Sequence, residues 1–533
     1  MDRLSFSDLL IGGRLLKGLP AFLHRRITLD EARAVLRHRR ERRQHDFLGL
    51  IRRAVFENAK SPYGPLLEAA GCEYGDLERL VERDGVEGAL RVLHRQGVHL
   101  TVDEFKGRRP VVRGSVSVEV DPTRCRNPWS ALHVPARTSG SRGGGTPVLI
   151  DLAFIRDCAV NTLLSLDARG GGGWLKAHWQ VPGGGAIARL IEYSSFGAPS
   201  ARWFSQVDPA APGLPSRYRW STRVLGWAGL LAGHPFPRPR HVPLDDPLPI
   251  ARWMRDVLAT RRIPHLFTFA SSAVRLCQAA LGAGIDLKGA QFTVVGEPLT
   301  RARLDVVRRC GAEAVPRFAA IESSVLGHGC LAADAPDDVH LLDDLHAVIQ
   351  PDRDDPDAPT RGRPLLLSSI RRTAPFVMLN VSLGDRAVLT TRACGCPLER
   401  LGWASHLHTI RSDEKLTAGG MTFLDSDVIR VMEEVLPSRF GGAPTDYQLL
   451  DAEGADGRPR LRLLVHPSIG PVDSRTIVET FLAAIGQSGG AERIMSWVWR
   501  DGQLVEVERR PPLASASGKI LHLHSASPCQ GGS

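Results

Sequence analysis

The sequence predicts an α/β protein: a large N-terminal domain in which helices cover mostly parallel sheets, and a small α+β domain joined behind it by a hinge. Three observations lead there. Strand-like and helix-like stretches alternate between Leu266 and Ala319. The 533 residues are more than one ordinary core organises. Near Arg411–Glu414 the texture changes to short strands and helices that end in a polar tail, so the expected domains are 1–411 and 412–533.

The first 110 residues read as a helical N-terminal part, on apolar spacings such as Leu48, Ile51, Val55 and Leu77, Leu80, Val81. A Gly-rich loop follows at 139–145. Residues 168–248, with Gly170–Gly173, Gly183–Gly185 and many Pro, read as an irregular insert. Regularity then returns. Leu266–Ala270 reads as a strand and Ser271–Ala283 as a helix capped by Ser271 or Ser272. Phe292–Gly296 is a strand, Leu299–Cys310 a helix ending at Gly311, and Val315–Ala319 a further strand. Ligands bind beyond the carboxyl ends of strands in such sheets, which directs attention to the loops after Gly296 and Ala320. Residues 351–361, rich in Asp and Pro, read as a surface loop.

Charge and composition exclude several classes. The net charge of +10 owes much to Arg25–Arg53, with ten arginines against four acids. That stretch reads as a solvated, amphipathic helix pair, or else as a surface for a phosphate-rich partner. No aromatic interleaving accompanies it, which argues against nucleic acid. No apolar run reaches the ~18 residues of a membrane span, and Leu9–Ile11 lacks the features of a signal peptide. The chain reads as cytoplasmic, and its nine cysteines as reduced thiols or metal ligands.

Five short segments carry candidate chemistry. Thr138-Ser139-Gly140-Ser141-Arg142-Gly143, continuing to Thr146-Pro147, gathers hydroxyls and backbone N–H groups in one tight loop suited to phosphate, or to a flexible linker. Gly296-Glu297-Pro298 is a strand-end turn opening a helix. Phe318-Ala319-Ala320-Ile321-Glu322 also follows a strand, and Leu383-Gly384-Asp385-Arg386 places an acid on a turn. In Ser515-Ala516-Ser517-Gly518-Lys519-Ile520, small residues leave a lysine exposed on a mobile loop. Apart from these, Cys394-Gly395-Cys396 with the distant Cys330 and His340 offers the four N/S ligands of a closed zinc site, with His328 or His346 as substitutes for His340. The alternative is buried free thiols beside a surface histidine.

The order and spacing of the five segments resemble the adenylate-forming superfamily of acyl-CoA synthetases, adenylation domains and luciferases, and within it the phenylacetate-CoA ligase branch. The resemblance runs from about residue 45 to 522. It implies that Thr138–Gly143 cradle the phosphates of ATP, that Gly296, Glu297 and Pro298 border the adenine, and that Asp385 holds the ribose, with Arg411 nearby. It implies a magnesium ion on Glu322, adenylation assisted by Lys519, and a hinge at Asp413 that swaps Lys519 for the Gly419-Gly420 loop. Zinc at Cys330, His340, Cys394 and Cys396 matches a set found in some relatives of this branch.

The implied activity is an ATP-dependent carboxylate ligase. It would form an acyl-AMP from an aryl or other specialised acid and hand the acyl group to coenzyme A. An amine acceptor, as in amide synthetases of secondary metabolism, is the alternative, and a non-catalytic nucleotide-binding regulator is the reading from another class. The expected partners are a carboxylic acid and a thiol or amine acceptor, and a homodimer is allowed. The chain departs from the family pattern at Arg142, at Phe318–Glu322 and at Leu379–Asp385, which points to an unusual substrate or acceptor.

Overall fold

The computed structural model describes residues 6–131, 133–137, 147–208, 216–351, 362–412, 416–418, 421–423, 425–453, 459–486, 505–515 and 518–525. Its centre is a twelve-stranded sheet. In chain order the strands are β1 (Leu175–Gln180), β2 (Arg202–Ser205), β3 (Pro239–His241), β4 (Pro264–Phe269), β5 (Gln291–Val295) and β6 (Glu313–Ala320). They continue with β7 (Ser324–Gly329), β8 (Val339–Leu341), β9 (His346–Ile349), β10 (Arg363–Ser369), β11 (Val381–Thr391) and β12 (Ser405–Ser412). Across the sheet they lie in the order β9-β10-β11-β12-β8-β7-β6-β5-β4-β1-β2-β3.

The half from β3 to β6 is parallel and the half from β6 to β9 antiparallel. Crossover helices account for the parallel half, because parallel neighbours cannot be joined by a tight turn. In register, Phe267 faces Thr293 and Thr293 faces Val315, so β4 and β5 end together, level with Arg317 of β6, which runs on to Ala320. On one face, helices Leu248–Ala259, Ala270–Gly282 and Arg301–Arg309 bury Leu266, Phe292, Val294 and Ala314. On the other face lie Leu152–Ala168 and Gly184–Ser195.

Two sequence readings change. The stretch 168–248 is not irregular: it supplies β1, β2 and β3, the outer strands of the parallel half. Its glycines mark ends of elements. Gly170, at φ +72°, closes the helix Leu152–Ala168, and Gly183 is the N-cap of Gly184–Ser195. Neither Ser271 nor Ser272 caps the helix Ala270–Gly282. Its N-cap is Phe269, and the carboxylate of Glu297 takes the orphan N–H of Ser271 instead, at 2.7 Å.

The basic N-terminal stretch is only partly solvated. Arg39 is 3% exposed, bonded to Asp157 at 2.7 Å and Asp344 at 3.2 Å, and Arg40 meets Asp343 at 2.8 Å. Acids distant in sequence thus fasten the helix Leu29–Glu41 to the body. Residues 428–523 carry their own apolar cluster, including Val428, Tyr447, Leu463, Phe481 and Leu523. There β13 (Tyr447–Glu453), β14 (Pro459–Val465), β15 (Val505–Arg509) and β16 (Leu523–Ser525) form a sheet in the order β15-β14-β13-β16. Among the described residues, no helix is long and apolar enough to cross a membrane.

Candidate active site

The chain leaves β5 through Gly296, whose φ of +78° belongs to glycine. A Cβ at this position would stand 2.9 Å from Cε and 3.2 Å from Nζ of Lys519. The C-terminal tail therefore lies directly over the turn. It is shaped by a tight turn of its own: Ser515 N–H donates to the Lys519 carbonyl at 2.7 Å, and the Lys519 N–H donates to Ser515 Oγ at 3.1 Å. Gly518, at φ +81°, rests on the side-chain amide of Gln206, where a Cβ has no room.

Lys519 is thus not an exposed side chain on a free loop, as its small neighbours suggested. It is half-buried, with Nζ 5.9 Å from the centre of the Phe269 ring. Burial lowers its ammonium below the ordinary lysine value, and the charges of Glu297 and Asp385 oppose that. Asp385 lies on β11, opposite Ser412.

Glu297 turns inward. Its two oxygens accept from Ser271 N–H at 2.7 Å, Ser271 Oγ at 2.9 Å, Arg303 Nη1 at 3.0 Å and Ile520 N–H at 3.0 Å. The carboxylate therefore organises the loop, and what Gly296-Glu297-Pro298 offers to a ligand is backbone. Behind it stands a buried network absent from the sequence reading. Arg303, 1% exposed, also bonds Glu433 at 2.7 Å, and His522 Nε2 meets Glu433 at 2.5 Å and Arg303 Nη2 at 3.2 Å. Thr300 Oγ1 donates to the same carboxylate. Burial by itself would raise the Glu433 carboxyl, but Arg303, His522 and Thr300 outweigh it and hold it at about 2. No sequence signal exposes this network, because an arginine in the first turn of an amphipathic helix reads as solvated.

Glu322 is at the tip between β6 and β7, 6% exposed, and burial raises its carboxyl above the usual range. Arg411, on β12, is committed to Asp337 at 2.7 Å and to the Ile410 carbonyl at 2.7 Å. Thr138, Ser139, Gly140, Ser141, Arg142, Gly143, Asp413 and the Gly419-Gly420 loop lie outside the described residues.

The thiol cluster assembles on the antiparallel half. Cys330 follows β7, His340 is on β8, and Cys394 and Cys396 occupy the turn after β11. His340 Nε2 is 3.1 Å from Cys396 Sγ and 3.7 Å from Cys394 Sγ. His406, which the sequence reading missed, joins them: ligand atoms of Cys330, His340, Cys394 and His406 all lie within 4.8 Å of one another. His340 Nδ1 is bonded to the Trp403 carbonyl at 2.6 Å and His406 Nδ1 to Asp338 at 2.9 Å. Each ring then turns its other nitrogen toward the sulfurs, the orientation metal-binding imidazoles take. The Cys330 thiol and His340 hold Cys396 below the ordinary thiol value, while burial and Cys396 raise Cys330. His346 is bonded to the Val325 carbonyl and His328 lines a different cavity, so neither substitutes for His340.

Comparison with solved structures bears out the fold. Two structures of 2-hydroxyisobutyryl-CoA ligase in the postadenylation state match, one in complex with 2-HIB-AMP and one with R3-HIB-AMP. Their TM-scores are 0.52 and 0.51 at 15% identity, over 93% of this chain and 90% of theirs. The chain thus shares the fold of that ligase, which is the fold the resemblance implied. No family model and no curated protein matches the sequence.

Proposed function

We propose that this chain is an ATP-dependent carboxylate ligase that forms an acyl-AMP with release of pyrophosphate and passes the acyl group to coenzyme A. The observation that carries the proposal is the seat of Lys519, over Gly296 where β4 and β5 end and within electrostatic range of Asp385. A fixed cation at that place offsets the charge that builds on the α-phosphate as the carboxylate attacks, an effect worth roughly 3–4 kcal/mol for one oriented donor. The Gly296 turn offers backbone groups to the adenine, and Asp385 the acceptor for the ribose hydroxyls. Residues 412–533 would act as the mobile part, docked for adenylation by the tail contacts and the Arg303–Glu433–His522 network.

Two metals belong to the proposal. Glu322 suits magnesium: a buried carboxylate whose burial favours the neutral acid becomes a good anion once a cation sits on it. When bound, magnesium would reduce the charge of the ATP triphosphate. The cluster of Cys330, His340, Cys394 and Cys396 suits zinc as a soft sulfur and imidazole donor set: Cys330, His340 and Cys394 converge within 4.8 Å together with His406, and Cys396 Sγ stands 3.1 Å from His340 Nε2. Four such ligands would close the site and make it structural.

The test is ATP–pyrophosphate exchange over a panel of aryl and aliphatic acids, followed by coenzyme A or amines added to the best substrate. Exchange that requires an acid, with acyl-CoA as product, is the expected result. Absence of exchange with every acid would mean a nucleotide-binding regulator, and transfer to amines alone would replace coenzyme A as the acceptor.

A further inference from the structure

The inner face of the parallel half, beneath helices Leu152–Ala168 and Gly184–Ser195, is built unlike an ordinary core. Arg317, 3% exposed, and Arg189, 8% exposed, both point at the single carboxylate of Glu192. Arg189 bonds it directly, whereas Arg317 Nη2 stands 3.8 Å away. Arg317 Nε and Nη2, Arg189 Nε, the buried His328 Nε2 and, among acceptors, Glu192 Oε1 have no hydrogen-bond partner. A third arginine, Arg169, lies against the same space but is satisfied by Thr293, Gln291 and the Phe292 carbonyl. Burial lowers Arg317 to about 10, with Arg189 adding to the shift, so two cations share one anion at a cost in free energy. Arg317 and His328 line a small cavity with Thr162 and Tyr193, of about 10 Å³, room for one oxygen or water. Such a cavity among unpaired donors and excess positive charge is a place for an anion.

Its position gives the source of that anion. Phe267 lines the cavity, with Arg189 stacked 4.6 Å from its ring centre and Arg317 at 5.7 Å. Phe269, two residues on along β4 and on the same face, is the ring that Lys519 overlies. Two residues of strand span roughly 7 Å. We infer that the acid activated here carries a second anionic group at its far end, which places one oxygen in the cavity against Arg317 and His328 while its reacting carboxylate lies beside Lys519. This assignment of substrate class rests on the ligase reading above.

The test compares acids that differ only at the far end: adipate against hexanoate, and 4-carboxyphenylacetate against phenylacetate, in ATP–pyrophosphate exchange by the full chain. The diacid of at least one pair is expected to be preferred by at least about tenfold in kcat/KM, on the scale of one charge-assisted hydrogen bond. Arg317→Met should abolish that preference, mainly through KM, and Arg317→Lys should restore part of it. Melting temperatures of both variants establish that they are folded. Exchange with monoacids alone, or a preference that survives in folded Arg317→Met, overturns the inference and leaves the ligase reading standing. Absence of exchange with every acid overturns the ligase reading, and this one with it. A free anion is the other source for the cavity. If chloride or sulfate raises the melting temperature of the wild type but not of Arg317→Lys, and exchange is equal across each pair, the cavity is an inorganic-anion site and the substrate inference fails.

Discussion

Glu297 shows how one side chain does two jobs that the sequence reads as one. The turn Gly296-Glu297-Pro298 is legible because a glycine closing a strand, followed by a helix, is a local pattern. That the Glu297 carboxylate faces inward, to Ser271, Arg303 and Ile520, is not legible, because two of these donors come from far along the chain. Glu322 is the opposite case. It lies at a strand tip, and burial raises its carboxyl above the usual range. Glu322→Gln keeps the shape and removes the charge, so magnesium activation of ATP–pyrophosphate exchange should shift to higher metal concentration while thermal stability stays near wild type. An unchanged magnesium titration would remove Glu322 from the metal site.

Among elements, the β7–β8–β11 region and the clasp around Glu433 carry the non-local structure. The Cys-x-Cys turn and the two distant residues were readable as a ligand set, yet His406 was not, because only the β8–β12 pairing sets it beside His340. A zinc link between these segments stabilises the folded chain directly, since the assembled site does not exist when unfolded. Purified protein should hold about one zinc per chain. Cys394→Ser with Cys396→Ser should lower zinc content and melting temperature together, as read by elemental analysis and calorimetry. The clasp behaves differently with pH. Its folded carboxyl, at about 2, lies below the roughly 4.3 of an unfolded glutamate. Glu433 therefore stabilises the fold above about pH 4.3, and that contribution drains away as pH falls toward 2. Glu433→Gln leaves Arg303 buried without this partner and should cost roughly 3 kcal/mol at pH 7. The gap to wild type should narrow between pH 5 and pH 3 in urea unfolding. A constant gap would assign the effect to packing.

For the whole molecule, the strands and helices of β4–β6 were legible because hydrophobic periodicity is local, and the ends of these strands directed attention to the candidate site. The antiparallel half was not, since its short strands β7, β8 and β9 each carry a buried His beside apolar residues and show no clean alternation. Nor was the placement of Lys519, more than two hundred residues from Gly296, which depends on residues 428–523 docking against the sheet. That docking is the centre of the proposal, in which Lys519 would be the charge donor of the first half-reaction alone. The most direct test separates the halves in Lys519→Ala. Adenylate formation, followed by pyrophosphate exchange, should fall by at least about a hundredfold. Transfer from supplied acyl-AMP to the acceptor should stay within a few-fold of wild type. Equal losses in the two half-reactions, or none in the first, would contradict the account.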